Sequence, residues 1–337
     1  MNRFKINNRM IPLVVTLMLF ALMYSFGLIR YSNFTSPQVF FNLFIDNAFL
    51  IIVAVGMTYV ILSGGIDLSV GSVIALTSMV TASLLLSGLS PFIVIPLALM
   101  VGPLLGFLMG CCIHFFNLQP FIVTLAGMFL ARGLAFLISV ETIAINNDFF
   151  QFMASTRIPI GDYFISISVV IALIVVCVAI FVAHYTKFGR NVYAIGGSEQ
   201  SALLMGLPVG RTKILVYTVS GFCASLAGLV FTFYMLSGYG LHANGLELNA
   251  IAAVVIGGTL LTGGVGYMAG SVVGVLMLGT IQSLIAYEGS LSAWWTRIAI
   301  GLLLLLFIVL HRLIVLREEK KKDTITLKNE DSNDRVS

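Results

Sequence analysis

Asp67 and Arg132 are charged side chains stranded among apolar residues. Asp67 follows Ile61-Leu-Ser-Gly-Gly-Ile66 and precedes a run from Leu68 to Ala131 that holds no Asp, Glu, Lys or Arg, while Arg132 sits in Leu130-Ala-Arg-Gly-Leu134. In hydrocarbon such a charge costs about 2.5–3.5 kcal/mol even on a lenient insertion scale, so each needs a partner, a helix end or a wet cavity. Asp67 lies just ahead of Ser69 and Gly71, where a new helix can begin. Its carboxylate can cap that helix at its positive end or reach a polar solute directly. Arg132 needs a counterpart that the sequence does not name. Asn47, Thr58, Tyr59 and Asn249 are uncharged polar residues suited to lining a path for a neutral solute, and they serve equally well as interhelical packing residues.

Covalent chemistry finds no equipment. His114, His184 and His311 fall at the ends of apolar runs and His242 in a loop, with no H-E-x-x-H or Ser/His/Asp set. Cys111, Cys112, Cys177 and Cys223 lie within apolar stretches without a C-x-x-C and read as small packing residues rather than disulfides or metal ligands. No G-x-x-x-x-G-K-[ST] phosphate loop occurs, so any ATP-driven process needs a second chain to hydrolyse the nucleotide. The chain reads as a non-enzyme with no cofactor.

The elements that must position these residues are membrane helices. Of 337 residues, 59% are hydrophobic and 9% charged, with mean hydropathy +1.06. That is too little charge to clothe a water-facing surface, which excludes a large soluble fold. Further charge-free runs extend from Asn47 to Ile66, Tyr163 to Thr186, Ile214 to Leu246 and Leu248 to Tyr287. A span needs about 20 apolar residues, so these runs and their punctuation predict about ten helices. Expected spans are 10–29, 38–62, 68–87, 91–116, 120–140, 162–184, 213–236, 246–262, 266–287 and 293–312. Residues 1–316 then form one membrane domain, and 317–337 a charged tail with too few apolar residues to pack.

Basic residues favour the cytoplasmic side. With both termini inside, that side receives Arg3, Lys5, Arg9, Lys187, Arg190, Arg211, Lys213, Arg312 and the tail, and the other side Arg30 and Arg157. Membrane orientation thus accounts for the net charge of +4, and nucleic acid is not an expected partner. The first apolar run, Met10 to Ile29, is long enough to span and lacks an obvious small-x-small cleavage site, so it reads as a retained helix. The longest outside loop, Glu141 to Gly161, is long enough to dock a partner.

An internal repeat links the two halves. Ile61-Leu-Ser-Gly-Gly-Ile-Asp-Leu-Ser-Val-Gly-Ser-Val-Ile74 resembles Leu260-Leu-Thr-Gly-Gly-Val-Gly-Tyr-Met-Ala-Gly-Ser-Val-Val273. Gly64-Gly65 and Gly263-Gly264 can take positive φ and break a helix, in the manner of transporters built from duplicated halves, or make plain turns at the membrane boundary. Freed backbone groups there must face protein, water or solute, with Ser69, Ser72 and Thr262 at hand to satisfy them. The inside loop, 185–212, carries Ser198-Glu-Gln-Ser-Ala-Leu-Leu-Met-Gly-Leu-Pro208, which reads as a two-turn helix stopped by Gly206. Leu203, Leu204 and Met205 would form an apolar ridge on it, suited to a soluble partner's groove or to the membrane surface.

Several of these motifs together resemble one family. Ala54-Val-Gly-Met-Thr-Tyr-Val-Ile-Leu-Ser-Gly-Gly-Ile-Asp-Leu-Ser-Val-Gly-Ser-Val73, Pro120-Phe-Ile-Val-Thr-Leu-Ala-Gly-Met128 with Arg132-Gly133, Phe188-Gly-Arg-Asn-Val-Tyr-Ala-Ile-Gly-Gly197 and Glu247-Leu-Asn-Ala-Ile-Ala-Ala-Val-Val-Ile-Gly-Gly-Thr259 occur in the order found in ribose/xylose/galactoside-class ABC-importer permeases. More narrowly, Asp46-Asn-Ala-Phe-Leu50, Ser292-Ala-Trp-Trp-Thr-Arg-Ile298 and Met205-Gly-Leu207 resemble the permeases of galactofuranose importers. The resemblance implies the all-α type II importer fold in a bacterial inner membrane, an ATP-binding subunit, a second permease subunit (identical or related) and a periplasmic sugar-binding protein. It also implies a coupling segment of Gly196, Gly197, Ser198, Glu199, Gln200, Ser201, Ala202, Leu203, Leu204, Met205, Gly206 and Leu207. The translocation pathway would draw on Asn47, Thr58, Tyr59, Gly64, Gly65, Asp67, Ser69, Gly71, Arg132, Asn249, Gly257, Gly258, Gly263 and Gly264. The rival reading of the same repeat is an ion-coupled sugar transporter, whose candidate acids are Asp46, Asp67 and Glu247.

Overall fold

Apolar runs become helices because, without water, backbone N–H and C=O groups must satisfy one another within the segment. The computed structural model describes residues 11–292 and 294–309. The N-terminal basic cluster, His311, Arg312 and the expected tail 317–337 lie outside the described residues. The helices are α1 (Ile11–Arg30), α2 (Pro37–Leu62), α3 (Val70–Leu86), α4 (Pro91–Phe115), α5 (Pro120–Ile138), α6 (Asp148–Ser155), α7 (Ile167–Tyr185), α8 (Lys187–Gly197), α9 (Glu199–Leu204), α10 (Val209–Met235), α11 (Leu246–Ile256), α12 (Met268–Glu288) and α13 (Trp294–Val309). Pro37, Pro91 and Pro120 each stand in a first turn, where no N–H is required.

Among the described residues, seven helices (α1, α2, α4, α5, α7, α10 and α12) are long and apolar enough to cross a membrane, and α3, α11 and α13 are shorter apolar helices. Each of the ten expected spans falls on one of these, in a multi-pass, all-α membrane protein. The expected span 162–184 starts later than its apolar run. Tyr163–Ser166 (β3) instead pairs antiparallel with Arg157–Ile160 (β2) across a turn at Gly161, whose φ is +61°. A two-residue turn with Gly at positive φ matches the twist of a hairpin, which here wins over helix propagation. Ile143–Ala144 (β1) pairs with Ser237–Gly238 (β4), tying the segment after α5 to the end of α10.

α2 and α10 form the centre of the bundle, with 61% and 67% of their apolar windows buried against 11% for α1. Lipid offers no hydrophobic gain to helix association, so close backbone approach supplies the attraction instead. Gly102, Gly106 and Gly110 recur once per turn on α4 and let it lie directly on α10. A Cβ at Gly102 would stand 1.9 Å from the Gly221 carbonyl oxygen, and one at Gly106 2.2 Å from that of Tyr217.

Candidate functional site

α2 ends at Leu62, and Gly64 at φ +83° turns the chain out of the helix. The Gly64 N–H donates to Ile61 O (2.9 Å) and the Gly65 N–H to Val60 O (3.0 Å), which satisfies the last carbonyls in a Schellman arrangement. Gly64 alone carries the positive φ expected of the pair. In the second half the same turn falls on a different glycine. α11 stops at Ile256, Gly258 takes φ +93°, and the Gly258 and Thr259 N–H groups donate to Val255 O (3.0 Å) and Val254 O (3.1 Å). The helix-ending pair is therefore Gly257-Gly258, not Gly263-Gly264. Gly263 (φ +86°) and Gly264 (φ +75°) belong to a longer connection, 257–267, where the first half has 63–69. Gly71-Ser-Val73 and Gly270-Ser-Val272 do open corresponding helices, α3 and α12, so the repeat holds downstream of the break.

These connections meet at one end of the bundle, and α8 delivers a third glycine segment to them. The Gly264 N–H donates to Leu62 O (2.9 Å), joining the two halves backbone to backbone. A Cβ on Gly196 would lie 1.7 Å from that same Leu62 oxygen and 2.5 Å from the Gly264 nitrogen, while one on Gly263 would lie 2.9 Å from the Gly64 nitrogen. Only residues without side chains permit this three-way contact. The short helix α9 follows directly. The Ser198 side chain accepts from the Ser201 N–H, and Gly206 (φ +74°) closes the helix, with Leu207 N–H donating to Ala202 O at 3.0 Å. Ala202 is fully buried against Ile195 and Val209, and Lys213 Nζ pairs with Glu199 Oε1 at 2.7 Å. The opposite face presents Leu203, Leu204 and Met205, 56%, 90% and 67% exposed.

Asp67 is buried two residues before the helix N-cap. Its Oδ1 accepts from the Ser69 N–H (2.9 Å) and Ser69 Oγ (2.6 Å), and its Oδ2 accepts from Ser220 Oγ (2.7 Å) on α10. It thus helps to cap α3 and also clamps that helix start to the bundle centre. Arg132 acquires the partners that its surroundings in sequence withhold. Its Nη1 donates to Gly240 O (2.7 Å) and His242 O (2.9 Å), carbonyls of the non-helical segment between α10 and α11. Glu247 adds a charge close enough to act on it, and packs its Oε2 where a Cβ on Gly71 would lie, 2.2 Å away. Burial, with the Arg132 guanidinium beside it, holds the His242 imidazole below its ordinary range.

Residues 39–308 match the family described as "branched-chain amino acid transport system / permease component". The chain belongs to this permease family. It is 48% identical over 325 residues to the inner membrane ABC transporter permease protein YjfF of Escherichia coli K12, covering 95% of this chain and 98% of that protein. Similarity extends to the fructose import permease protein FruG of Bifidobacterium longum (42% over 320 residues, 93% and 94% covered). The ribose import permease protein RbsC of Bacillus subtilis is 36% identical over 286 residues, with 83% and 86% covered. No solved structure matches the chain.

Within this permease the uncharged candidates part company. Asn47 Nδ2 donates to Leu43 O (2.9 Å) against Gly279, Thr58 Oγ1 bonds Ala54 O (2.6 Å) and Ser271 Oγ (2.7 Å), and Tyr59 donates to Ala179 O (2.8 Å). All three are buried and joined to neighbouring groups. Asn249 instead faces a cavity of about 810 Å³ between α11, α12 and α13, at the end of the bundle away from α9. Sequence reasoning passed over Ser220 and Gly240, whose partners Asp67 and Arg132 are remote in sequence.

Proposed function

We propose that this permease forms the membrane pathway of an ATP-driven importer for a monosaccharide, galactofuranose or a related pentose or hexose. The observation that carries the reading is α9: a short capped helix, fixed to the bundle on one face and offering an apolar ridge on the other. A separate ATP-binding subunit grips that ridge in the helix-in-groove manner. Hydrolysis on that subunit displaces α9. The glycine contact at Gly196, Leu62 and Gly264 passes the displacement to both broken connections, and the halves rock about them. A second permease, identical or related, completes the pathway, and a periplasmic binding protein delivers the sugar at the opposite end. The α9 end and both termini lie in the cytoplasm, with the protein in the bacterial inner membrane. Support for a sugar comes from the fructose and ribose importers among the relatives, and for galactofuranose from the motifs at 46–50, 205–207 and 292–298.

Replacing Leu203, Leu204 and Met205 together by Ser tests the ridge. ATPase co-purification is expected to be lost while membrane insertion persists, and undiminished co-purification would overturn the assignment. In vesicles holding the whole importer, sugar uptake should continue with the proton gradient collapsed and ATP present. Uptake that stops with the gradient would instead select ion coupling.

A further inference from the structure

The cavity between α11, α12 and α13 is bordered by Asn244, Asn249, Gln282, Thr296 and Arg297. Among the described residues, none of the Asn244, Asn249, Gln282 or Thr296 side chains has a hydrogen-bond partner, and Arg297 rests over the Trp294 ring at 4.8 Å. Asn244, Gln282 and Arg297 are exposed and Asn249 and Thr296 half-buried, so no protein group competes for the four uncharged side chains, and all five border one space. At about 810 Å³ it falls within the range of ligand cavities, roughly 300–1,000 Å³. Side-chain amides offer donors and acceptors together, which matches a hydroxyl that also does both. Ile251, Ile285 and Ile300 add an apolar wall for the C–H face of a ring.

The geometry points to this cavity as a transit subsite for a neutral polyhydroxylated ligand, a monosaccharide held loosely between delivery and release. The inference rests on the importer reading, which places this end of the bundle outside the cell. The three amides and Thr296 replace part of the water around the sugar hydroxyls, and Arg297, held by Trp294, donates to a hydroxyl pair. Its single cation and absence of acidic lining residues among those named suit an uncharged ligand better than a cationic one.

The test uses the full chain assembled with its importer partners in vesicles, with single cysteines introduced as Gln282→Cys and Thr296→Cys. A membrane-impermeant thiol reagent is added from outside, with the unsubstituted protein as baseline and Leu302→Cys, on the exposed face of α13, as a lipid-facing control. Both cavity cysteines are expected to react and the control to stay inert. D-galactose, D-fructose and D-ribose are then added in turn at high millimolar concentration. At least one should slow labelling, about tenfold when its concentration is about ten times its Kd. Cavity cysteines as inert as the control would mean lipid fills the space, and labelling indifferent to all three sugars would mean water alone does; either overturns the subsite. Sugar protection without ATP-dependent uptake would leave the subsite standing and remove the importer reading.

Discussion

Gly196→Ala and Gly197→Ala form a matched pair whose outcomes should differ sharply. Both glycines end α8, neither needs a positive φ, and each gains a helix-favouring methyl group that by itself stabilises by about 0.5–1 kcal/mol. At Gly197 a Cβ meets nothing within 4 Å, whereas at Gly196 it would stand 1.7 Å from Leu62 O and 2.5 Å from the Gly264 nitrogen. Ordinary contact begins near 3.4 Å, so α8 must retreat from Leu62 by roughly 1.7 Å. Short of that retreat the methyl intrudes on both partners of the 2.9 Å hydrogen bond that joins the halves, so either α8 moves or that bond breaks. Overpacking costs about 1–3 kcal/mol, and a buried donor or acceptor left unpaired costs about 1–3 kcal/mol more. A net loss of about 3 kcal/mol is expected at position 196, and a change within about 1 kcal/mol at 197. Thermal unfolding of the purified permease reads both quantities. ATP-driven uptake in reconstituted vesicles tests the coupling route, with Gly196→Ala expected to fall at least about tenfold and Gly197→Ala to match the parent. Equal stability and equal uptake for the two variants would refute the three-way glycine contact and the coupling route drawn through it.

Gly102→Ala places a methyl 1.9 Å from the Gly221 carbonyl and should lower stability by about 1–3 kcal/mol, while Gly133→Ala, which meets nothing within 4 Å, should not; differential melting curves decide. Asp67→Ala strands the Ser69 N–H and the Ser220 hydroxyl, for about 3 kcal/mol, and Asp67→Asn should recover most of that loss in the same unfolding assay. Arg132→Met leaves the Gly240 and His242 carbonyls without their charged donor, at about 3–5 kcal/mol, and should open residues 236–245 to hydrogen exchange before the rest of the bundle. Because the His242 pKa lies below the ordinary 6.5, the unfolded chain takes up a proton there that the folded chain refuses. Stability from this group should be flat above pH 6.5 and decline as pH falls through that value, and His242→Phe should flatten that part of the melting-temperature profile.

The caps of α9 were legible because every participant lies within ten residues. Ser198 begins the helix and Gly206 ends it by the same local hydrogen bonding that operates in an isolated turn. The second break was not, because the sequence offers two candidate pairs, Gly257-Gly258 and Gly263-Gly264. Spacing to Gly-Ser-Val favours the later pair, yet α11 stops at Ile256 and the later glycines serve the contact with Gly64 and Gly196. Thr58 and Tyr59 were legible as polar residues in a bundle, but their partners were not, since Ser271 and Ala179 sit on other helices.

Charge scarcity and the lengths of the runs between charges determined on their own that this chain is solvated by lipid and crosses it many times. Those are properties of composition and spacing, and burial of backbone polar groups leaves helix as the answer for each run. Which faces meet was decided only by the folded bundle. A helix that is apolar all round carries no stripe to orient it. Arg132 therefore finds its acceptors at Gly240 and His242, 108 and 110 residues away, through interhelical packing alone.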